Sequence, residues 1–348
     1  MTGAGRAVSL RNYLPFAAVI VLMIAGPAFA ADMAPFEPVP APAAPIPDVE
    51  YFNPKPLPAI QAEFGARYFF GTGKTSKNLY GPPSIYSGQV SRLTYNDFLI
   101  NAGEFDWRVA ASSGWFIKGY IGGGSATQGK LQDEDFPPAI TPYSSTTSNE
   151  NSGFLGYGSV DVGYDVFRGG DFRVGAFVGY HYLNQQVNAY GCTQTATNPD
   201  VCQPAIPATV QGISQNNTWQ SLRLGLDGAV QLGRHFTFWA EGAYLPYVNL
   251  RGHDTHFLRI DEGDFSGPIP EDGTGQGFQL ETLLSYNITP YASVGIGGRY
   301  WHMETSGTSH FEDVAVGGMP QPVDWKTDVL GGFVQASFKF GPYPIGVR

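Results

Sequence analysis

The sequence predicts an all-β protein: a ten-stranded antiparallel transmembrane β-barrel with long extracellular loops and short periplasmic turns. Three observations lead there. Only 14% of the 348 residues are charged, while 43% are hydrophobic and 14% aromatic, against roughly 25% charged in an average soluble domain. After residue 30 no apolar stretch approaches the roughly 20 residues that a helix needs to cross a bilayer, which leaves a closed sheet as the spanning solution. From Ile60 onward, apolar and polar residues alternate with period two, in runs longer than the roughly five or six residues of a common soluble strand.

The amino terminus reads as an export signal over residues 1–30. Arg6 and Arg11 precede the apolar run Leu14 to Ala25, and Ala28-Phe29-Ala30 supplies the small residues a signal peptidase reads. Residues 31–58 carry a proline every few positions, from Pro35 to Pro58, which favours an extended solvated tether on the periplasmic side and excludes a core. The barrel is expected over 59–340, with a C-terminal extension at 341–348.

The first strand shows the pattern: Ala62, Phe64, Ala66 and Tyr68 alternate with Gln61, Glu63, Gly65 and Arg67. One face suits lipid and the other a polar interior. The same alternation returns in Val90 to Val109, Trp115 to Gly124, Gly153 to Phe167, Phe172 to Ala189, Trp219 to Leu232, Phe236 to Leu250, Gly277 to Ile288, Tyr291 to Thr305 and Asp328 to Phe340. Gly169-Gly170-Asp171, Gly233-Arg234-His235 and Thr289-Pro290 are tight turns, so the longer polar segments at about 72–90, 125–150, 190–216, 255–275 and 307–325 project outward. Tyr95, Trp107, Trp115, Tyr164, Tyr182, Trp239, Tyr247, Tyr291 and Trp301 lie near strand ends and suit interfacial girdles. Phe340 closes the last run.

Cys192 and Cys202 enclose a polar segment, and an exported chain meets an oxidising compartment, so a loop-closing disulfide is expected. With 30 acids against 20 Lys plus Arg, the net charge of −10 excludes a nucleic-acid partner. Gly71-Thr72-Gly73-Lys74-Thr75 lacks the leading glycine of a phosphate loop, since Tyr68 stands in its place.

Two clusters carry the candidate chemistry. Asp133-Glu134-Asp135 falls in the second outward segment and His253-Asp254-Thr255-His256 at the start of the fourth. Residues two apart in an extended chain share a face, so Asp133 pairs with Asp135, Asp254 with His256, and His253 points away. Asp254 then orients an imidazole that takes a proton from water, and the neighbouring carboxylates hold that water or share a proton. That is a water-activating hydrolytic site without a covalent step. No metal or organic cofactor is implied. The alternatives are a non-catalytic barrel that binds a host or environmental ligand through its loops, and a diffusion pore. Ten strands are close to the size at which interior side chains fill the lumen, which disfavours the pore.

The order Ser91-Arg92-Leu93, Asp133-x-Asp135, Arg173-Val174-Gly175 leading to Gly179-Tyr180, and Asp254-x-His256 resembles the omptin family of outer-membrane proteases over about residues 60–340. Thr72-Gly73-Lys74-Thr75 and Thr289-Pro290 fall where omptins carry similar residues. The resemblance implies a monomeric barrel in the bacterial outer membrane whose site faces the cell exterior. There it hydrolyses peptides or proteins, with Asp133 and Asp135 as the aspartate pair and Asp254 with His256 as the dyad. It also implies specificity positions at Lys77 and Gly252, where omptins carry acids that select basic residues. That preference is not expected here, although Asp261, Glu262, Asp264, Glu271, Asp272, Glu312 and Asp313 surround the mouth. Omptins further depend on lipopolysaccharide held on the outer wall. Tyr180 fits that contact, but Tyr182 and Asn184 replace the charged residues on alternate positions, so either a different lipid A or a lost dependence follows.

Overall fold

The computed structural model describes residues 60–82, 88–136, 142–259, 266–313 and 319–341. The expected signal peptide and tether, and the extension beyond Gly341, lie outside them. The strands are β1 (Ile60–Tyr80), β2 (Gln89–Ala111), β3 (Trp115–Thr127), β4 (Gly129–Asp135), β5 (Ser144–Arg168), β6 (Phe172–Gln194), β7 (Ile206–Leu232), β8 (Phe236–His256), β9 (Ile269–Thr289), β10 (Ala292–Ser309) and β11 (Gln321–Phe340). All pairings are antiparallel, and β1 pairs with both β2 and β11, which closes the sheet into a ring. β3 and β4 follow one another along a single stave between β2 and β5. The eleven strands therefore make the ten-staved barrel that the alternation implied.

Outward side chains divide each stave into two zones. Tyr68 and Phe70 on β1, Val160, Val162 and Tyr164 on β5, Leu222, Leu224 and Leu226 on β7, and Leu280 and Leu284 on β9 form an exposed apolar belt. Beyond it the outward positions turn polar, with Lys74, Ser76 and Asn78 on β1, Asn184, Gln186 and Asn188 on β6, and Asn216 and Thr218 on β7. The belt suits hydrocarbon and the polar zone suits water. The hairpins stay paired throughout the polar zone, for example Lys77 opposite Trp325 and Gln215 opposite Asp254. Much of the expected outward loops is thus strand, because continuing the ladder satisfies backbone groups that a loop would leave to other partners. At the opposite end the connections are tight, at 112–114, 169–171, 233–235 and 290–291, and Gly233 supplies a left-handed φ of 70°.

The lumen is filled. Arg299 donates to Glu104 at 2.6 Å and to Glu281 at 2.5 Å, Arg223 donates to Asp161 at 2.9 Å, and Arg173 and Arg108 each reach Asp227 at 2.9 Å. Above these pairs, the Trp301 ring stacks on Phe69 and Tyr120, both at 6.4 Å, and meets Tyr157 edge-on at 4.9 Å. Two glycines make room for inward rings. A Cβ on Gly225 would come within 2.2 Å of Phe177, and one on Gly297 within 2.2 Å of Phe333. Toward the end with tight turns the lumen widens into a cavity of about 910 Å³, lined by Arg67, Arg108, Lys118, Asp165, Arg173 and Trp239 among others.

The girdle assignment needs correction at three positions. Trp115, Tyr164, Tyr182, Tyr247 and Tyr291 do face outward, but Tyr95 and Trp301 are buried in the lumen and Trp239 lines its inner cavity. Proximity to a strand end does not fix a face; parity does, and a bulge resets parity. Phe340 is exposed, and its ring meets Phe64 edge-on at 5.9 Å.

Candidate active site

Three bulges aim the candidate residues into the mouth of the barrel. On β3, even-numbered residues such as Phe116, Tyr120 and Ala126 face inward; after Gln128, which takes a left-handed φ of 67°, odd-numbered residues do. Asp133 and Asp135 therefore face the lumen, opposite Leu93 and Ser91. Beside it, Asp97 takes φ 54° on β2, and the ladder slips between Gly73 and Thr75, which turns Tyr95 inward. On β8, one extra residue between Leu245 and Val248 moves the inward set from odd to even numbers, so Asp254 and His256 face in, while His253 is exposed on the outer face. Pro246 sits in that bulge, where a missing N–H costs the ladder nothing.

The dyad is formed. His256 Nε2 lies 3.0 Å from Asp254 Oδ2, and both side chains are buried. That oxygen has a second partner: Lys77 Nζ, reaching from β1, donates to it at 2.7 Å. Lys77 also pairs with Glu271 on β9 and lies 5.5 Å from the Trp325 ring centroid. Glu271 stands directly opposite Gly252 and accepts from Gln215 at 3.0 Å and from Ser309 at 3.2 Å. A Cβ at Gly252 would come within 2.3 Å of Asn217 Oδ1, so the glycine leaves space for that amide.

The electrostatics follow from this packing. Burial opposes the charge on Asp254, but His256 and then Lys77 outweigh it and hold the carboxyl well below the usual range. Burial likewise opposes the Lys77 ammonium, and Asp254 with Glu271 outweigh it, so the lysine is held charged. Burial pushes Glu271 up. Across the mouth, burial and then Asp135 push Asp133 up to about 6, with His256 and Arg259 pulling the other way. Burial raises Asp135 too, against a hydrogen bond from Ser91. An ionised Asp133 is thus available near neutral pH, and the pair takes up a proton a little below it.

Two further residues belong to the mouth and carry no sequence signal. The Tyr95 hydroxyl is buried without a hydrogen-bond partner among the described residues, and burial, then Asp254, Glu150, Asp133 and Glu271, hold its proton on. Glu150 is fully buried, neither oxygen has a hydrogen-bond partner among the described residues, and burial, then Asp97, push it up to about 8.

Other expected positions lie elsewhere. Asp272 and Glu312 belong to a clip in which His310 Nε2 and Nδ1 each lie 2.6 Å from a carboxylate oxygen. Asp313 ends a short 3-10 turn, and Asp261, Glu262 and Asp264 fall outside the described residues. Tyr180 is exposed on β6, in one outward row with Tyr182 and Asn184, and Asn184 donates to Asn216 and Thr218. Cys192 and Cys202 form a disulfide with a Cα–Cα distance of 5.7 Å. The glycine-rich segment at 71–75 is continuous strand. Among the described residues no group of three or more His, Cys, Asp or Glu side chains is arranged to hold a metal ion.

Known proteins resemble the chain as follows. The sequence profile of the Omptin family matches residues 72–315. No curated protein sequence matches. Among solved structures, the outer membrane protease OmpT from Escherichia coli aligns with a TM-score of 0.61 at 16% identity, covering 81% of this chain and 97% of that chain. The outer membrane protein OprG from Pseudomonas aeruginosa aligns with a TM-score of 0.33 at 12% identity, covering 82% of this chain and 97% of that chain. At 16% identity the likeness to OmpT speaks to the fold.

Proposed function

The chain belongs to the Omptin family, and from that premise we propose that it is an outer-membrane endopeptidase whose Asp254–His256 dyad, with Asp133 and Asp135, activates water to attack a peptide carbonyl. The observation that carries this reading is the shared oxygen contact of Asp254 and His256 inside the mouth, with the ionisable Asp133 on the opposite wall. His256 bonds Asp254 through Nε2, which leaves Nδ1 as the base toward a water. As the water oxygen attacks, its proton passes to the imidazole, and Asp254 stabilises the imidazolium. Asp133 and Asp135 accept hydrogen bonds from the water and hold it in line. The imidazolium then returns the proton to the leaving amine, so no covalent intermediate forms.

The site faces the cell exterior in this reading, since the tight turns lie at the far end of the barrel and suit the periplasm. The barrel works as a monomer. Lipopolysaccharide touches the row headed by Tyr180, which is 44% exposed at the edge of the apolar belt. A pore is disfavoured by the aromatic layer around Trp301.

The test is cleavage of a diverse peptide library by the refolded barrel, with and without lipopolysaccharide, read by mass spectrometry. Wild-type protein cleaves, and His256→Ala and Asp254→Asn lose about 10²-fold or more in kcat/KM while heat-modifiable gel mobility persists. Equal cleavage by folded wild type and both variants would overturn the dyad.

A further inference from the structure

Lys77 is a buried cation on the wrong side of the barrel for a local partner. It sits on β1, four staves from β8 in the ring, and is 1% exposed. Its strand neighbours in register are Leu93 and Trp325, neither of which is charged. The side chain instead spans the mouth, and its ammonium meets both Asp254 and Glu271. An unpaired buried ammonium costs several kcal/mol or loses its proton, so these two contacts explain how a lysine persists there.

The position has a chemical consequence. Asp254 Oδ2 serves Lys77 and His256 at once, at 2.7 and 3.0 Å, while Asp254 Oδ1 has no hydrogen-bond partner among the described residues. We propose that Lys77 is a positioning residue of the hydrolytic site, a resident cation that fixes Asp254 toward His256 while competing for the same oxygen, and so keeps the imidazole free to act as a base. This inference rests on the dyad proposed above.

Charge counting shows why. With Lys77 charged, the cluster of Asp254, Glu271 and Lys77 carries one net negative charge, which a proton on His256 neutralises. Without Lys77 the two buried carboxylates lose their resident cation, which favours a proton on the imidazole and so opposes its use as a base. Without Glu271 the ammonium is balanced by Asp254 only, and His256 resists its proton. Among the described residues, the other charged groups around His256 are Asp133 and Asp135 on β4 and Arg259 just past β8, while β7 presents the neutral Ile213 and Gln215. Tyr95 on β2 adds no charge while burial holds its proton on. Lys77 and Glu271 are thus the pair whose removal moves the balance in opposite directions.

The test is an NMR titration of the His256 ring in isotope-labelled full-length protein in detergent, assigned by difference against His256→Asn, alongside cleavage-rate profiles against pH. Lys77→Met raises the His256 midpoint by about one pH unit or more and lowers kcat/KM at pH 7 about tenfold. Glu271→Gln moves the midpoint down. The double variant Lys77→Met/Glu271→Gln restores the net charge and returns the midpoint toward wild type, which also guards against a single variant that fails to fold. Lys77→Arg stays close to wild type. A midpoint that does not move in folded Lys77→Met, or a double variant that fails to return, overturns the proposal. If wild-type protein cleaves nothing while the midpoints follow this order, the electrostatic role of Lys77 stands and the protease reading falls.

Discussion

Glu150 is the carboxyl in the mouth that the proposed chemistry leaves unused, and it makes stability depend on pH. Its folded-state value of about 8 lies above the ordinary 4.5, so the native state binds a proton that the unfolded chain has already released. Stability from this group is complete below the ordinary value and is lost as pH rises through the folded one. The heat needed to convert the compact gel band should therefore fall from about pH 5 to about pH 8 and level off above it, and Glu150→Gln should flatten that slope; an unchanged slope would show that the acid is paired or solvated. The residue scale also marks where sequence reading ended. Asp133 with Asp135 and Asp254 with His256 were legible because two residues apart share a face whatever the surroundings. Lys77 was legible only as a departure from an expected acid. Its contact with Asp254 spans 177 positions and exists because ring closure sets β1 across from β8, which no local pattern encodes. Tyr95 and Glu150 depend on the same closure.

At the scale of the element, the alternation identified every membrane-crossing stave but not the face of its outer end. Counting parity up β3 from Phe116, or up β8 from Ala243, points Asp133 and Asp254 at solvent. The bulges at Gln128 and at Pro246 each add one residue and reverse that result. A single extra residue leaves no compositional trace in a polar segment, so the inward orientation of Asp133 and Asp254 is fixed only by the ladder itself. The loop lengths failed for a related reason, since a polar paired hairpin and a polar loop read alike. One outer hairpin carries its own staple. Cys192 and Cys202 close the β6–β7 tip across a sequence separation of 10, a constraint worth up to about 3 kcal/mol in the chain-entropy model. Reduction, or Cys192→Ser/Cys202→Ser, should expose 195–205 to proteolysis while leaving the heat conversion of the barrel in place. A matching loss of barrel stability would mean that the tip and the membrane segment melt as one unit.

Across the whole molecule, the lumen is tiered, and each tier excludes a different function. The outer tier holds the dyad and its carboxylates in a polar mouth. The middle tier seals it: Trp301 is flanked by Phe69, Tyr120, Tyr157 and His181, with ring centroids at 4.9 to 6.4 Å. Below lie the ion pairs of Arg299 with Glu104 and Glu281 and of Arg223 with Asp161 and Glu241, and then the inner cavity. Two layers, one aromatic and one of ion pairs, thus lie across the lumen in series. Purified barrel in a planar bilayer should stay sealed under voltage. Trp301→Ala, which removes a buried ring at a cost of about 3 to 5 kcal/mol, should stay sealed as well, because Arg299 and Arg223 still bridge the lumen. Steady single-channel openings in the wild type would require both layers to move together, and the barrel would then be a pore with an enzyme-like mouth. A barrel sealed in both forms would leave the proposed hydrolytic chemistry to the polar mouth, on the side of the aromatic layer away from the tight turns.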